Sequence, residues 1–125
     1  MKIIYYSMTG NCIKFLKMCK VDKEDMVDIW EIGSKVDFDY ILLTPTVASG
    51  KIPEDVVAFL EKNNKHLKGV VGSGNKKWGN QRFAKAADKI SEMYNVPVIM
   101  KIQLYGTTKE IIKFRKYYLE MKNKK

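Results

Sequence analysis

Two patterns of hydrophobic and polar residues alternate along the whole chain. One is typical of β-strands and the other of amphipathic α-helices. Short apolar runs rich in β-branched residues predict five strands, over residues 2–6, 25–32, 40–44, 67–73 and 96–104. Apolar residues at helical spacing predict four helices, the third being the longest, over residues 11–20, 53–64, 80–94 and 108–121. The chain contains no internal repeat.

Strands that alternate with helices predict an α/β fold, a three-layer sandwich whose five-stranded parallel sheet is covered on both faces. Residues 33–37 are too few for a helix between the second and third strands. We expect the flavodoxin-like strand order 2-1-3-4-5, which places a binding crevice beyond the carboxyl ends of strands one, three and four. The loops at these ends, 7–11, 45–51 and 74–79, are the richest in glycine and hydroxyl residues.

Length and composition limit the number of domains, the cellular location and the kinds of metal or disulfide site that the protein can have. We expect the 125 residues to form one domain, residues 1–125, with a basic carboxyl-terminal helix and tail over about residues 113–125 whose end is frayed. No apolar run approaches membrane-spanning length, and the amino-terminal residues predict a strand rather than a secretion signal, so we expect a cytoplasmic protein without membrane contact. Cys12 and Cys19 would lie about 10 Å apart on one helix, too far for a disulfide. His66 is the only histidine, which excludes a histidine-rich metal site.

The first loop has the features of a phosphate site. It offers side-chain donors, a glycine that lets the backbone come close to a ligand, and a helix amino terminus behind it. It lacks the lysine of ATP-hydrolysing loops and the glycine spacing of dinucleotide-binding loops. The alternative is an ordinary Ser or Thr helix cap, but the position after a buried strand favours a ligand site. We therefore assign cofactor contacts to Ser7, Met8, Thr9, Gly10, Asn11 and Cys12.

The second and third loops suit a flat aromatic ring. Small residues in the second loop let a ring lie against the backbone, and Gly50 permits a change of peptide orientation; the alternative is an ordinary turn before Pro53. In the third loop, backbone amides can bind a pyrimidine-like edge, and Trp78 can either stack on the ring or contact a partner protein. The candidate residues are Thr46, Val47, Ala48, Ser49, Gly50, Ser73, Gly74, Asn75, Trp78 and Gly79.

The sequence lacks the residues that two classes of protein with this architecture and one kind of catalytic unit require. Small tyrosine-phosphatase-type enzymes need Cys-x5-Arg after the first strand, but Met18 stands where Cys12 would need its arginine. Response-regulator receivers need acidic residues after strands one and three, and these loops have none. A Ser-His-Asp unit is not credible with only His66, which we expect at the surface.

Several motifs together resemble the NrdI family, the flavodoxin-like accessory proteins of class Ib ribonucleotide reductase. The resemblance covers residues 3 to about 110. Its first element, residues 6–11 followed by Phe15, is shared with flavodoxins generally, and its second is residues 44–46 followed by Gly50. Its more specific part is residues 69–75 followed by Gly79, with Leu104-Tyr105-Gly106-Thr107 after the last strand.

The resemblance implies a cofactor, partners and an activity. FMN would be bound with its phosphate on residues 7–11 and its ring between residues 46–50 and 73–79. Reduced FMN would react with molecular oxygen to give superoxide or a related oxidant for the dimanganese site of the reductase small subunit. A separate reductase would supply the electrons. The protein would then be an accessory flavoprotein without a turnover substrate of its own, in which no side chain acts as acid, base or nucleophile.

The formal net charge of +9 favours this interpretation over an ordinary electron carrier. Electron-carrying flavodoxins are typically acidic, whereas here the ring-flanking loops contain Lys51, Lys76 and Lys77. Positive potential favours an anionic reduced flavin and attracts superoxide. Two alternatives remain, a small flavodoxin-type electron carrier and a flavin-free basic interaction module. Nucleic acid is not the expected partner because the lysines form no stripe with interleaved aromatic residues.

Overall fold

The computed structural model describes residues 1–32, 35–47, 50–79 and 83–123, apart from the side chain of Trp78. One sheet contains the strands β1 (Lys2–Tyr5), β2 (Met26–Asp28), β3 (Tyr40–Pro45), β4 (Leu67–Gly74) and β5 (Val98–Gln103). The α-helices are α1 (Asn11–Met18), α2 (Glu54–Asn63), α3 (Lys85–Tyr94) and α4 (Thr108–Lys122). The strands pair in parallel in the order β2-β1-β3-β4-β5, so the predicted flavodoxin-like fold is confirmed.

Two hydrophobic cores, one on each face, hold the helices against the sheet. Alternating residues of β1 point to opposite faces, so that Ile3 packs beneath α1 and α4 while Ile4 packs beneath α2 and α3. The predicted inner stripes of the helices supply the other side of each core. Their fully buried members include Phe15, Leu16, Val56, Leu60, Ala87, Ile90, Phe114 and Tyr118.

The second strand is shorter than the predicted segment 25–32. Short 3-10 helices, Lys23–Asp25 and Ile29–Glu31, flank the three residues of β2. The Asp28 carboxylate accepts a hydrogen bond from the amide of Trp30 at 3.0 Å, which turns the chain out of the sheet. The described residues between β2 and β3 contain no α-helix, in keeping with the short connection; residues 33 and 34 lie outside the description.

The third helix is also shorter than predicted, and the longest described helix is α4 with 15 residues. Ala84 has φ 49°, in the left-handed region, so a right-handed helix can begin only after it. Its backbone lies against Gly74 of β4, where a Cβ atom would come within 2.6 Å of the Ala84 nitrogen. The start predicted at residue 80 lies outside the described residues.

The basic carboxyl-terminal segment is helical up to Lys122, in agreement with the helix predicted over residues 108–121, and residues 124 and 125 lie outside the description. The Lys122 ammonium binds the carboxylates of Asp22 and Asp25, and the Tyr118 hydroxyl donates to Asp25. These contacts fix the last two turns of α4 to the segment before β2. In the part of the chain that the structure describes, no helix has the length and apolar character needed to cross a bilayer.

Candidate functional site

The three predicted loops meet at the carboxyl ends of β1, β3 and β4. They enclose an open cavity of about 260 Å³, here called the loop cavity. Eight of the predicted residues line it, namely Met8, Thr9, Asn11, Thr46, Val47, Ser73, Gly74 and Asn75. The sequence therefore located the loops that the parallel sheet brings together.

The first loop leaves polar groups without protein partners. Gly10 is the amino-terminal cap of α1 and has φ 86°, and no side chain caps the helix. The Ser or Thr cap considered from the sequence is therefore absent. The side-chain oxygen of Ser7 is buried and has no hydrogen-bond partner in the described protein. The first turn of α1 has no acidic residue, so its positive dipole end is not neutralised by the helix's own side chains.

Cys12 lies on the same turn of α1 but does not line the cavity. Its side chain is buried at 1% exposure. Burial raises the pKa of the Cys12 thiol to about 12, so the thiol is neutral at physiological pH. Cys12 can therefore contribute its backbone at the helix end, but not a thiolate.

The second loop is a tight hairpin. Val47 and Lys51 exchange two backbone hydrogen bonds, of 3.0 and 2.8 Å, which leave a short tip between them. Gly50 has φ 97°, and a Cβ atom there would lie 3.1 Å from the Lys85 side chain. The predicted contact residues Ala48 and Ser49 lie outside the described residues.

Thr46 has a structural contact that sequence patterns do not indicate. Its hydroxyl oxygen accepts a hydrogen bond from the amide of Ala86 at 3.2 Å. It thereby serves the amino terminus of α3, whose own cap residue, Ala84, has no side-chain acceptor. Thr46 thus lines the cavity and fixes α3 beside it.

In the third loop, several backbone amides already have partners inside the protein. The Lys77 amide donates to the Asn75 side chain at 3.0 Å, and the Gly79 amide donates to the Lys76 carbonyl at 3.0 Å. The Lys76 amide donates to the side chain of Gln103 at 2.8 Å. These three amides are therefore occupied, and the loop faces the cavity through Ser73, Gly74 and Asn75. Gly79 lies outside the lining, and the side chain of Trp78 lies outside the description.

Two lining residues were not assigned from the sequence, Pro45 and Leu104. Leu104 has φ 54° and turns the chain directly after β5. Its amide donates to the Gly74 carbonyl at 2.8 Å, and its carbonyl accepts from the Ser73 hydroxyl at 2.7 Å. The signal was available, because Leu104 opens the motif 104–107 that carried the family resemblance.

His66 is far from the loop cavity. It precedes β4 at the amino end of the sheet, where its Nδ1 atom lies 3.1 Å from an Asp39 carboxylate oxygen. It therefore cannot act as an acid or base on a molecule bound at the carboxyl end.

Comparison with known proteins agrees with the fold and shows the family. The family model described as "NrdI Flavodoxin like" matches residues 3–116. A short-chain flavodoxin associated with a non-canonical PDU bacterial microcompartment has the same fold, with a TM-score of 0.69 at 17% identity over 94% of this chain and 93% of that one. Oxidised flavodoxin 1 from Bacillus cereus has a TM-score of 0.65 at 16% identity, covering 98% and 97%. A Fusobacterium nucleatum flavodoxin bound to flavin mononucleotide has a TM-score of 0.62 at 14% identity, covering 97% and 95%. These structures show the fold, and the family match shows that the chain belongs to the NrdI flavodoxin-like family.

Proposed function

We propose that the protein binds FMN in the loop cavity and works as a flavodoxin-type redox protein that activates class Ib ribonucleotide reductase. Membership of the NrdI flavodoxin-like family supports FMN as the cofactor. The FMN-bound Fusobacterium nucleatum flavodoxin shows that this fold accommodates that cofactor.

The amino end of α1 is the observation that carries the proposal. The helix has no side-chain cap. The Ser7 hydroxyl, three residues before the cap residue Gly10, is buried outside the cavity lining and has no partner in the described protein. Buried polar groups in folded proteins are normally hydrogen-bonded, so such a group is informative. A phosphate would accept from the helix amides and from Ser7 at once.

The rest of the cavity suits the remainder of FMN. Thr46 and Val47 of the second loop and Gly74 and Asn75 of the third line the cavity, and the flat ring would lie against these two segments. Small side chains and exposed backbone on these loops allow the close approach that an aromatic ring needs.

When bound, FMN would supply the redox chemistry, passing electrons from a reductase to molecular oxygen so that superoxide or a related oxidant reaches the dimanganese site of the reductase small subunit. The chain's own residues would hold the phosphate at the first loop and orient the ring between the other two. We expect this activity in the cytoplasm.

Lysines near the cavity would favour the negatively charged reduced cofactor. Lys51, Lys76 and Lys77 are all exposed on the second and third loops. Their positive potential stabilises an anion and attracts superoxide. Changing each to Gln should lower the reduction potentials of bound FMN, whereas Lys68→Gln, near the amino end of β4, serves as the matched control. Unmoved potentials in all three variants would contradict this electrostatic role.

Flavin binding can be tested directly. FMN is added to the purified protein, excess is removed, and the absorption spectrum is recorded. Retained flavin bands are expected, and protein that stays colourless would refute both the activator and the electron-carrier functions. In that case, strongly salt-dependent DNA binding would favour the basic interaction module.

The activator role needs a second experiment. The reduced, FMN-loaded protein is mixed with a manganese-loaded class Ib small subunit and oxygen, and tyrosyl radical is measured by electron paramagnetic resonance. We expect radical formation that neither reduced free FMN nor an ordinary reduced flavodoxin produces. FMN binding without radical formation would leave a small electron carrier as the function.

A further inference from the structure

The side chain of Gln103, the last residue of β5, reaches across to the third loop. Its Oε1 atom accepts from the Lys76 amide at 2.8 Å, and its Nε2 atom lies 3.4 Å from Asn75 Oδ1. The same Asn75 oxygen accepts from the Lys77 amide. One side chain therefore connects β5 to the start of the 3-10 helix Lys76–Trp78.

Gln103 is itself firmly held. Its amide donates to Glu110 Oε1 at 3.0 Å, and the same oxygen accepts from the Thr107 amide at 2.9 Å. The Thr107 hydroxyl in turn accepts from the Glu110 amide at 3.3 Å, which completes the capping box of α4. The base of the Gln103 side chain is thus fixed to a helix amino terminus.

The third loop depends on such an external contact. Its flanking residues, Gly74 and Gly79, are glycines, and Gly79 has φ 91°. A three-residue 3-10 helix has little stability of its own. Among the described residues outside the loop, Gln103 supplies the side chain that hydrogen-bonds to residues 75–78.

We propose that Gln103 is a positioning residue that fixes the third loop in the conformation that receives the cofactor ring. This inference rests on the proposed function, because it assumes that FMN occupies the loop cavity. Asn75 lines the cavity and Gln103 does not, so Gln103 would act on the cofactor ring through the loop. A loop held in its binding conformation loses less entropy when the ligand binds.

The role predicts a specific pattern of affinities. Gln103 affects the part of the site that receives the ring, which FMN and riboflavin share. Removing the Gln103 side chain should therefore lower the affinities for FMN and for riboflavin by the same factor, although riboflavin lacks the phosphate. A defect at the first loop would weaken FMN alone. Gln103 makes two hydrogen bonds to the third loop. If part of their free energy is needed to hold the loop in its binding conformation, their loss lowers the flavin affinity about tenfold.

The test compares Gln103→Leu with Gln103→Glu. Leucine fills similar space without hydrogen bonding, whereas glutamate keeps an acceptor for the Lys76 amide. Lys76 is exposed, so water can satisfy its amide in the leucine variant and the protein should fold. Thr108→Ala, an exposed change in the same turn, is the control. Dissociation constants for FMN and riboflavin, reduction potentials, and hydrogen exchange of the Lys76 amide without ligand are measured.

We expect Gln103→Leu to accelerate Lys76 amide exchange, to weaken both flavins about tenfold and to shift the potentials. Gln103→Glu keeps the acceptor for the Lys76 amide but loses the donor to Asn75 and adds a charge, so it should restore the slow amide exchange. Wild-type affinities and exchange in Gln103→Leu would overturn the role of Gln103 while leaving FMN binding intact. Equally fast Lys76 amide exchange in the leucine and glutamate variants would also overturn it, since the acceptor that glutamine and glutamate share would then be irrelevant. Wild-type protein that binds neither flavin would instead overturn the proposed function.

Discussion

Replacement of Ser7 by alanine should have opposite effects on the free protein and on the complex with FMN. The Ser7 hydroxyl is buried without a hydrogen-bond partner in the described protein. In the free protein it is therefore a buried polar group that no described protein atom satisfies. In the proposed complex it donates to the cofactor phosphate.

The expected changes in stability and in FMN affinity depend on whether the Ser7 hydroxyl has a hydrogen-bond partner. An unsatisfied buried polar group costs about 1–3 kcal/mol, so Ser7→Ala should raise the free energy of unfolding of the free protein, by about 1 kcal/mol at the lower end. A hydrogen bond to a charged group contributes about 1.5–3 kcal/mol. Its loss should weaken FMN binding about 10- to 150-fold, since about 1.4 kcal/mol corresponds to a factor of ten.

Denaturant unfolding of the free protein and fluorescence titration with FMN and riboflavin measure both effects. Riboflavin has no phosphate, so its affinity should not change in Ser7→Ala. Ser91→Ala is the matched control, because the Ser91 hydroxyl donates to the Val96 carbonyl at 2.5 Å, away from the cavity. That variant should lose about 1 kcal/mol of stability and keep its FMN affinity.

Two results would refute the reasoning. If Ser7→Ala destabilised the free protein as much as Ser91→Ala, the hydroxyl would have a protein partner. If FMN and riboflavin affinities changed by the same factor, Ser7 would not contact the phosphate.

Other parts of the fold give further tests. Gly106→Ala should lower the free energy of unfolding by about 2–4 kcal/mol in denaturant titrations, because Gly106 has φ 96° and a Cβ atom would lie 2.5 Å from the buried Phe15 ring; wild-type stability would contradict this packing. The hydrogen bond from Lys122 lowers the pKa of Asp22, so stability from this pair is present above the unfolded pKa and lost as pH falls through the folded one. The melting temperatures of Lys122→Met and wild type should therefore differ at pH 7 and converge below about pH 4; a constant difference would exclude this linkage. Burial raises the pKa of both thiols to about 12, so a thiol reagent at pH 8 should label the protein only after unfolding, at Cys12 and Cys19; rapid labelling of native protein would show that they are accessible.

The sequence predicted the structure correctly where the spacing of hydrophobic residues and the order of the strands determine it. The continuous apolar run at Tyr40 predicts a central strand, and Tyr40 to Leu43 are indeed buried on both faces of the sheet. Parallel strands bring their following loops to one edge, so the loop cavity could be located from the strand order alone. The exclusion of a helix between the second and third strands came from length alone.

It failed where a single side chain or a distant contact decides the local structure. Residues 25–32 alternate like a strand, but the Asp28 carboxylate diverts the chain after three residues. The helix of the basic carboxyl-terminal segment was predicted, but the carboxylates about one hundred residues earlier in the chain that hold it were not. The contacts of Thr46 and Gln103 likewise join segments that no local pattern relates.

The helix amino termini of this one chain give the strongest argument about the site. Helix α4 has a complete capping box, and α3, whose own cap is an alanine, receives an acceptor from Thr46. Helices α1 and α2 both lack a side-chain cap, but the first turn of α2 contains Glu54 and Asp55, whereas that of α1 has no acidic residue. There the cap is Gly10, and the nearby Ser7 hydroxyl is buried without a partner in the described protein. Buried polar groups without partners are rare in native proteins, so these donors support our proposal that an anionic group binds here. Binding of that group should then stabilise α1 and the fold together, in proportion to ligand concentration.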